Sequence, residues 1–84
     1  MFEIVYSKRS GKFLKNCDKS LQKRILQKIE LLKVEPVPHD AKKVQGNKGD
    51  FRVRIGDYRI LYELNWDKKV ILVADIDKRS KVYK

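Results

Sequence analysis

The 84-residue sequence predicts one small α+β domain in the order β-α-α-β-β-β. Three observations predict it. The chain opens on an alternating, β-branched segment; an apolar stripe with helical spacing follows at residues 19–34; and three strand-like segments separated by short turns fill most of the second half. In that order the two helices form a layer on one face of a small, antiparallel-rich sheet, whose last three strands make a meander. A chain of 84 residues builds a single modest core, and no repeat or low-complexity run marks a second domain, so 1–84 reads as one unit.

Each element has its own signal. "FEIVY" (residues 2–6) alternates β-branched and aromatic residues and reads as the first strand. Ser7 is a helix cap for a short helix carrying Phe13, Leu14 and Cys17. Asp18 caps a stronger helix, roughly 19–34, in which Leu21, Ile25, Ile29 and Leu32 recur at steps of four, four and three. Lys19, Lys23, Arg24 and Lys28 lie off that stripe in solvent. "EPVPHD" stops the helix, because proline lacks an amide proton and disfavours helix at the residue before it. Residues 41–49 are polar with two glycines and read as loop. Strands at 51–55 and 58–64 flank a Gly56-Asp57 turn, "NWDKK" makes the next turn, and "VILVADI" (residues 70–76) is apolar enough on both faces for a central strand.

Charge is the loudest global property. Twenty-one Lys and Arg oppose eleven Asp and Glu, a net charge of +10. Residues 1–49 carry +7 and residues 50–84 carry +3, so the basicity belongs to the folded body rather than to a tail. Such a surplus repels itself unless a polyanion or an acidic partner is near, and nucleic acid is the first candidate. The N-terminus lacks the pattern of a secretory signal, the longest apolar block is too short to span a bilayer, and the lone Cys17 suits a reducing compartment. The expectation is a soluble, cytoplasmic protein with no membrane role.

The hairpin "DFRVRIGDYRILYEL" concentrates that charge. With Gly56-Asp57 as the turn, Ile55 pairs with Tyr58, Arg54 with Arg59, Val53 with Ile60 and Arg52 with Leu61. Alternation sends Phe51, Val53, Ile55, Tyr58, Ile60, Tyr62 and Leu64 to one face, and Arg52, Arg54, Arg59, Leu61 and Glu63 to the other. Directly opposed like charges destabilise a sheet by a few tenths of a kcal/mol or more, so an anion-binding face is the expected use. Guanidinium groups match phosphate oxygens two at a time and stay charged at physiological pH. One neutralising neighbour is foreseen: if Leu64 pairs with Val70, Asp75 comes beside Arg59. Arg79 and Tyr83 extend the face beyond the last strand.

In "FRVR", "GDYRILY" and the closing "DKRSKVY", the sequence resembles the RelE branch of the RelE/ParE toxin superfamily, and the likeness runs in order over nearly the whole chain. The resemblance implies the toxin of a type II toxin–antitoxin pair that enters the ribosomal A site and cleaves mRNA there, inhibiting translation. It implies a reaction without metal or cofactor, in which the substrate's 2′-hydroxyl attacks the adjacent phosphate. It also implies an acidic RelB-like antitoxin, within a higher-order heteromeric complex. Carried over by motif position, Arg59 holds the phosphate, Arg79 stabilises the transition state or assists the leaving group, and Tyr83 stacks on the base or orients the 2′-hydroxyl. Arg54 joins these as catalytic, and Arg52, Lys78 and Lys81 complete the RNA contacts. Where some active members have lysines this chain has Arg52 and Arg54, and Lys78 stands where histidine is common; Tyr83, Lys78 or no residue at all is then the base.

Other readings are weaker. His39 is a lone loop histidine, Cys17 is expected in a helix facing the core, and Asp75 and Asp77 are expected to be ion-paired rather than metal-binding. "GNKG" lacks the end of a phosphate loop. A ParE-like inhibitor of DNA gyrase, a relative that binds RNA or antitoxin without cutting, and a plain basic RNA-binding domain are the alternatives.

Overall fold

Ser7 and Asp18 start the two helices in the same way. Each has an extended backbone and a side-chain oxygen that accepts a hydrogen bond from the N–H three residues on, Ser10 for Ser7 and Leu21 for Asp18. In the computed structural model, which describes residues 1–44 and 50–78, strand β1 (Glu3–Tyr6) leads into helix α1 (Lys8–Asn16) and helix α2 (Lys19–Val34). Strands β2 (Lys42–Lys43), β3 (Phe51–Ile55), β4 (Tyr58–Asn65) and β5 (Val70–Lys78) follow. They form a five-stranded sheet in the order β1-β5-β4-β3-β2, with β1 parallel to β5 and the other pairs antiparallel. Among the described residues no helix is long and apolar enough to cross a membrane.

All four residues of the α2 stripe are buried, against Val53, Ile60, Tyr62, Ile71, Val73 and Ile76 of the sheet. Each such aliphatic side chain contributes about 1.5–3 kcal/mol on leaving water. Tyr62 is fully buried, and its hydroxyl donates to the Pro36 carbonyl at 2.7 Å, which draws the proline turn back over the core. Burial, with a smaller contribution from the Asp40 charge, pushes its phenol far above the usual range. Asp40 in turn bonds to Lys28 at 2.8 Å, and that hydrogen bond holds its carboxyl below the usual carboxylate range.

Three expectations are corrected. Residues 42 and 43 are a short edge strand rather than loop, because they pair with Arg52 and Phe51. Cys17 caps the end of α1 instead of lying within it, its N–H bonded to the Phe13 carbonyl. Asn65, not Leu64, pairs with Val70, and a bulge then shifts the register again: Tyr62 faces Val73 while Leu61 faces Asp75, leaving Ala74 as the extra residue. The turn between β3 and β4 is as expected. Gly56 alone of its two central residues has positive φ (56°), the pattern of a type II′ hairpin. A Cβ there would also lie 3.0 Å from the Arg24 guanidinium.

Candidate nucleic-acid interface

The face of the sheet turned away from the core carries the arginines in rows. Arg54 pairs with Arg59 and Arg52 with Leu61, the register read from the sequence. Pairing across all four antiparallel strands gives one row of Lys42, Arg52, Leu61 and Asp75, and a second of Arg54, Arg59 and Asp77. Residues directly opposite one another share a face with Cβ atoms about 5 Å apart. In these two rows the cations therefore lie on β2, β3 and β4 and the carboxylates on β5, with Glu63 of β4 one step further along the same face. Arg54 and Lys42 are exposed and Arg52 is half-buried. Lys42 was not legible as a member, since a two-residue strand has no period; its only signal is adjacency to the hairpin in an antiparallel edge.

Arg59 differs from its neighbours. It is 8% exposed, and its Nε and Nη2 donate to Asp77 Oδ1 at 3.2 Å each, with Nη2 also 3.4 Å from Oδ2. A buried guanidinium requires such a partner, because desolvating an unpaired charge costs several kcal/mol. The neighbour foreseen for Arg59 was Asp75; the Asn65–Val70 register and the bulge at Ala74 each shift the pairing by one residue and together put Asp77 there instead. Asp75, 4% exposed, accepts from the Ile76 N–H at 2.9 Å and pairs with Arg9 of α1 at 3.5 Å. Both aspartates are thus ion-paired, as expected, though with Arg59 and Arg9 as partners.

Beside these aspartates, β1 ends at its Tyr6–Val73 pair, and α1 takes its place along β5. Ser7 and Ser10 hydroxyls donate to the carbonyls of Ala74 and Val73, both at 2.8 Å. An open cleft of about 1170 Å³ lies between α1 and this part of β5, lined among others by Lys8, Arg9, Lys12, Phe13, Tyr58 and Asp77. The cleft joins a cationic helix face to the paired carboxylates.

Among the remaining candidates, Lys78 pairs with Tyr58, so alternation places it on the other face, its ammonium 5.9 Å from that ring. Arg79, Lys81, Tyr83 and the "GNKG" segment lie outside the described residues. His39 is exposed in the proline turn. The Cys17 thiol is pushed up by burial and then by the Asp18 charge, away from thiolate chemistry.

Over residues 4–83 the sequence matches the family described as the ParE toxin of the type II toxin–antitoxin system parDE. The chain belongs to the RelE/ParE toxin family. Within the RelE/ParE family its similarities fall on the RelE side. It is 36% identical over 86 residues, 99% of this chain and 96% of the relative, to a Methanocaldococcus jannaschii protein that carries the toxin name RelE1. A chain of the archaeal RelE–RelB complex from Pyrococcus horikoshii OT3 superposes with a TM-score of 0.82 at 32% identity, covering 96% of this chain and 98% of that one. The isolated Escherichia coli RelE toxin gives a TM-score of 0.80 at 16% identity, covering 93% and 84%, a likeness of fold. The α+β architecture read from the sequence is the RelE fold.

Proposed function

We propose that this RelE-type toxin is a ribosome-dependent mRNA endoribonuclease, restrained by an acidic RelB-like antitoxin. The observation that carries the reading is the Arg54–Arg59 pair, like charges opposed on the sheet face away from the core, with Arg52 and Lys42 in the next row. A fold selected for stability alone would separate these charges; a polyanion accounts for their grouping. RelE–RelB complexes among the similar structures support the antitoxin partner.

In the reaction the 2′-hydroxyl oxygen attacks the adjacent phosphorus as the bond to the 5′ oxygen breaks. The hydroxyl proton goes to a base and the departing oxygen gains one, leaving a 2′,3′-cyclic phosphate and a 5′-hydroxyl. Charge grows on the phosphoryl oxygens, and Arg59 and Arg54 are assigned to it, since preorganised donors act where charge develops. Arg52, Lys42 and Lys81 hold neighbouring phosphates, while Arg79 assists the leaving group by its motif position. Lys78 lies over Tyr58 on the opposite face and contacts RNA only at the strand end; Tyr83, Lys78 or no residue at all serves as the base.

Inducing the toxin alone is expected to arrest growth and to yield mRNA cut within ribosome-bound codons, mapped by primer extension, with Arg59→Ala or Arg79→Ala reducing the cuts about 100-fold or more. Intact mRNA together with inhibited DNA supercoiling would overturn the reading in favour of a gyrase poison, the alternative the ParE family description keeps open.

A further inference from the structure

We propose that Asp77 is a positioning residue for Arg59: it grips one edge of the guanidinium and leaves the Nη1 edge for an RNA phosphate. The identity of that ligand rests on the nuclease reading above. The geometry specifies which protons are used. Asp77 engages Nε and Nη2 of Arg59, whereas Nη1 bonds to no described residue. A guanidinium carries five N–H donors in a planar fork, so the Nη1 edge can meet two phosphate oxygens while the Nε edge stays on the carboxylate.

Arg59 needs such a hold more than Arg54 does. It is 8% exposed and faces Arg54 across the strand pair, so without a carboxylate the guanidinium is both desolvated and repelled. Asp77 meets it because the Asn65–Val70 register and the bulge together set Arg59 opposite Asp77. The carboxylate also cancels one positive charge on the RNA face. It therefore opposes raw attraction for RNA while fixing the orientation that the reaction requires, and these two effects have opposite signs.

The test uses the full-length toxin with Asp77→Asn, which keeps shape and an acceptor oxygen but removes the charge. Expected is binding to ribosomes carrying a 2′-deoxy message as tight as wild type or tighter, with single-turnover cleavage slowed about 10- to 100-fold, the range seen for misplaced reacting groups. Arg59→Ala and the double variant Arg59→Ala/Asp77→Asn should then cut equally slowly. Wild-type cleavage by Asp77→Asn, or a loss that multiplies in full with that of Arg59→Ala, overturns the proposal; so does weakened binding alongside slowed cutting, the mark of a purely structural role. A second arm needs neither cleavage nor a variant. The Arg59 Nε–H resonance of the wild-type toxin is followed by NMR while a 2′-O-methyl oligoribonucleotide or inorganic phosphate is added. A protected Nε–H that persists as Arg59 responds supports the assignment. Loss of that proton on binding, or no response of Arg59 to either anion, overturns it. A wild-type chain that cuts no RNA defeats the nuclease reading alone, and the resonance still decides the role of Asp77.

Discussion

The two halves of β5 are one continuous strand with contrasting environments. Residues 70–73 lie between β1 and β4, and their side chains are buried or half-buried, with Ile71 and Val73 in the core. Beyond Ala74, among the described residues, only β4 pairs with the strand; α1 replaces β1, and Asp75 and Asp77 lie on the arginine face. Where the strand loses a neighbour, side chains take up its backbone groups: the Ser7 hydroxyl bonds the Ala74 carbonyl, the Ser10 hydroxyl joins the Ser7 N–H on the Val73 carbonyl, and Asp75 takes the Ile76 N–H. The lesson is a division of labour within nine residues. A strand neighbour supplies stability in the first half, and the second half, released from it, carries charge.

Three substitutions bear on that division, beyond those already described. The largest effect belongs to the first half. Ile71→Ala, fully buried, is expected to cost about 3 kcal/mol by the lost burial and the cavity left behind, while the surviving folded protein cuts RNA at its normal rate. Denaturant unfolding measures this, and a loss under 1 kcal/mol would contradict the assignment of stability to this half. An intermediate effect lies at the junction. Ser10→Ala should cost about 0.5–1.5 kcal/mol, since the buried Val73 carbonyl loses its hydroxyl donor and keeps only the Ser7 N–H at 3.0 Å, where β1 ends. A neutral result in the same assay would show that the bulge holds itself. The smallest is Arg54→Thr, which removes one of two opposed cations. Stability is expected to rise by about a few tenths of a kcal/mol while cleavage slows, an exchange of function for stability. Unfolding midpoints and message cleavage, measured on the same preparation, must move in opposite directions for the division to stand.

Much of this was legible in the sequence. Asp18, the four-residue stripe of α2 and the Gly56-Asp57 turn each state their structure through local chemistry, and the hairpin register follows from turn length. The grouping of Arg52, Arg54 and Arg59 was legible for the same reason, since alternation is a local rule. Lys42 and Asp77 were not placed on that face, and both failures are of long-range pairing. A two-residue strand gains its identity only from its partner, and the mate of Arg59 depends on a turn end and a bulge that no residue type announces. Arg9 escaped notice because α1 sits where β1 would otherwise continue, a matter of packing rather than pattern.

The bulge has a further consequence for reading relatives of this chain. Counted by twos from Ile71, the odd positions of β5 belong to the core, and Asp75 and Asp77 are odd. Ala74 resets the phase, so that after it the even position Ile76 is the buried apolar one. An alignment drawn straight through Ala74 against a relative with an unbroken strand would set these two carboxylates in columns of core hydrophobes and report an impossible substitution. A one-residue gap at Ala74 restores the columns. The same nine letters then read as two short words in different phases, one spelling an interior and the other a charged surface.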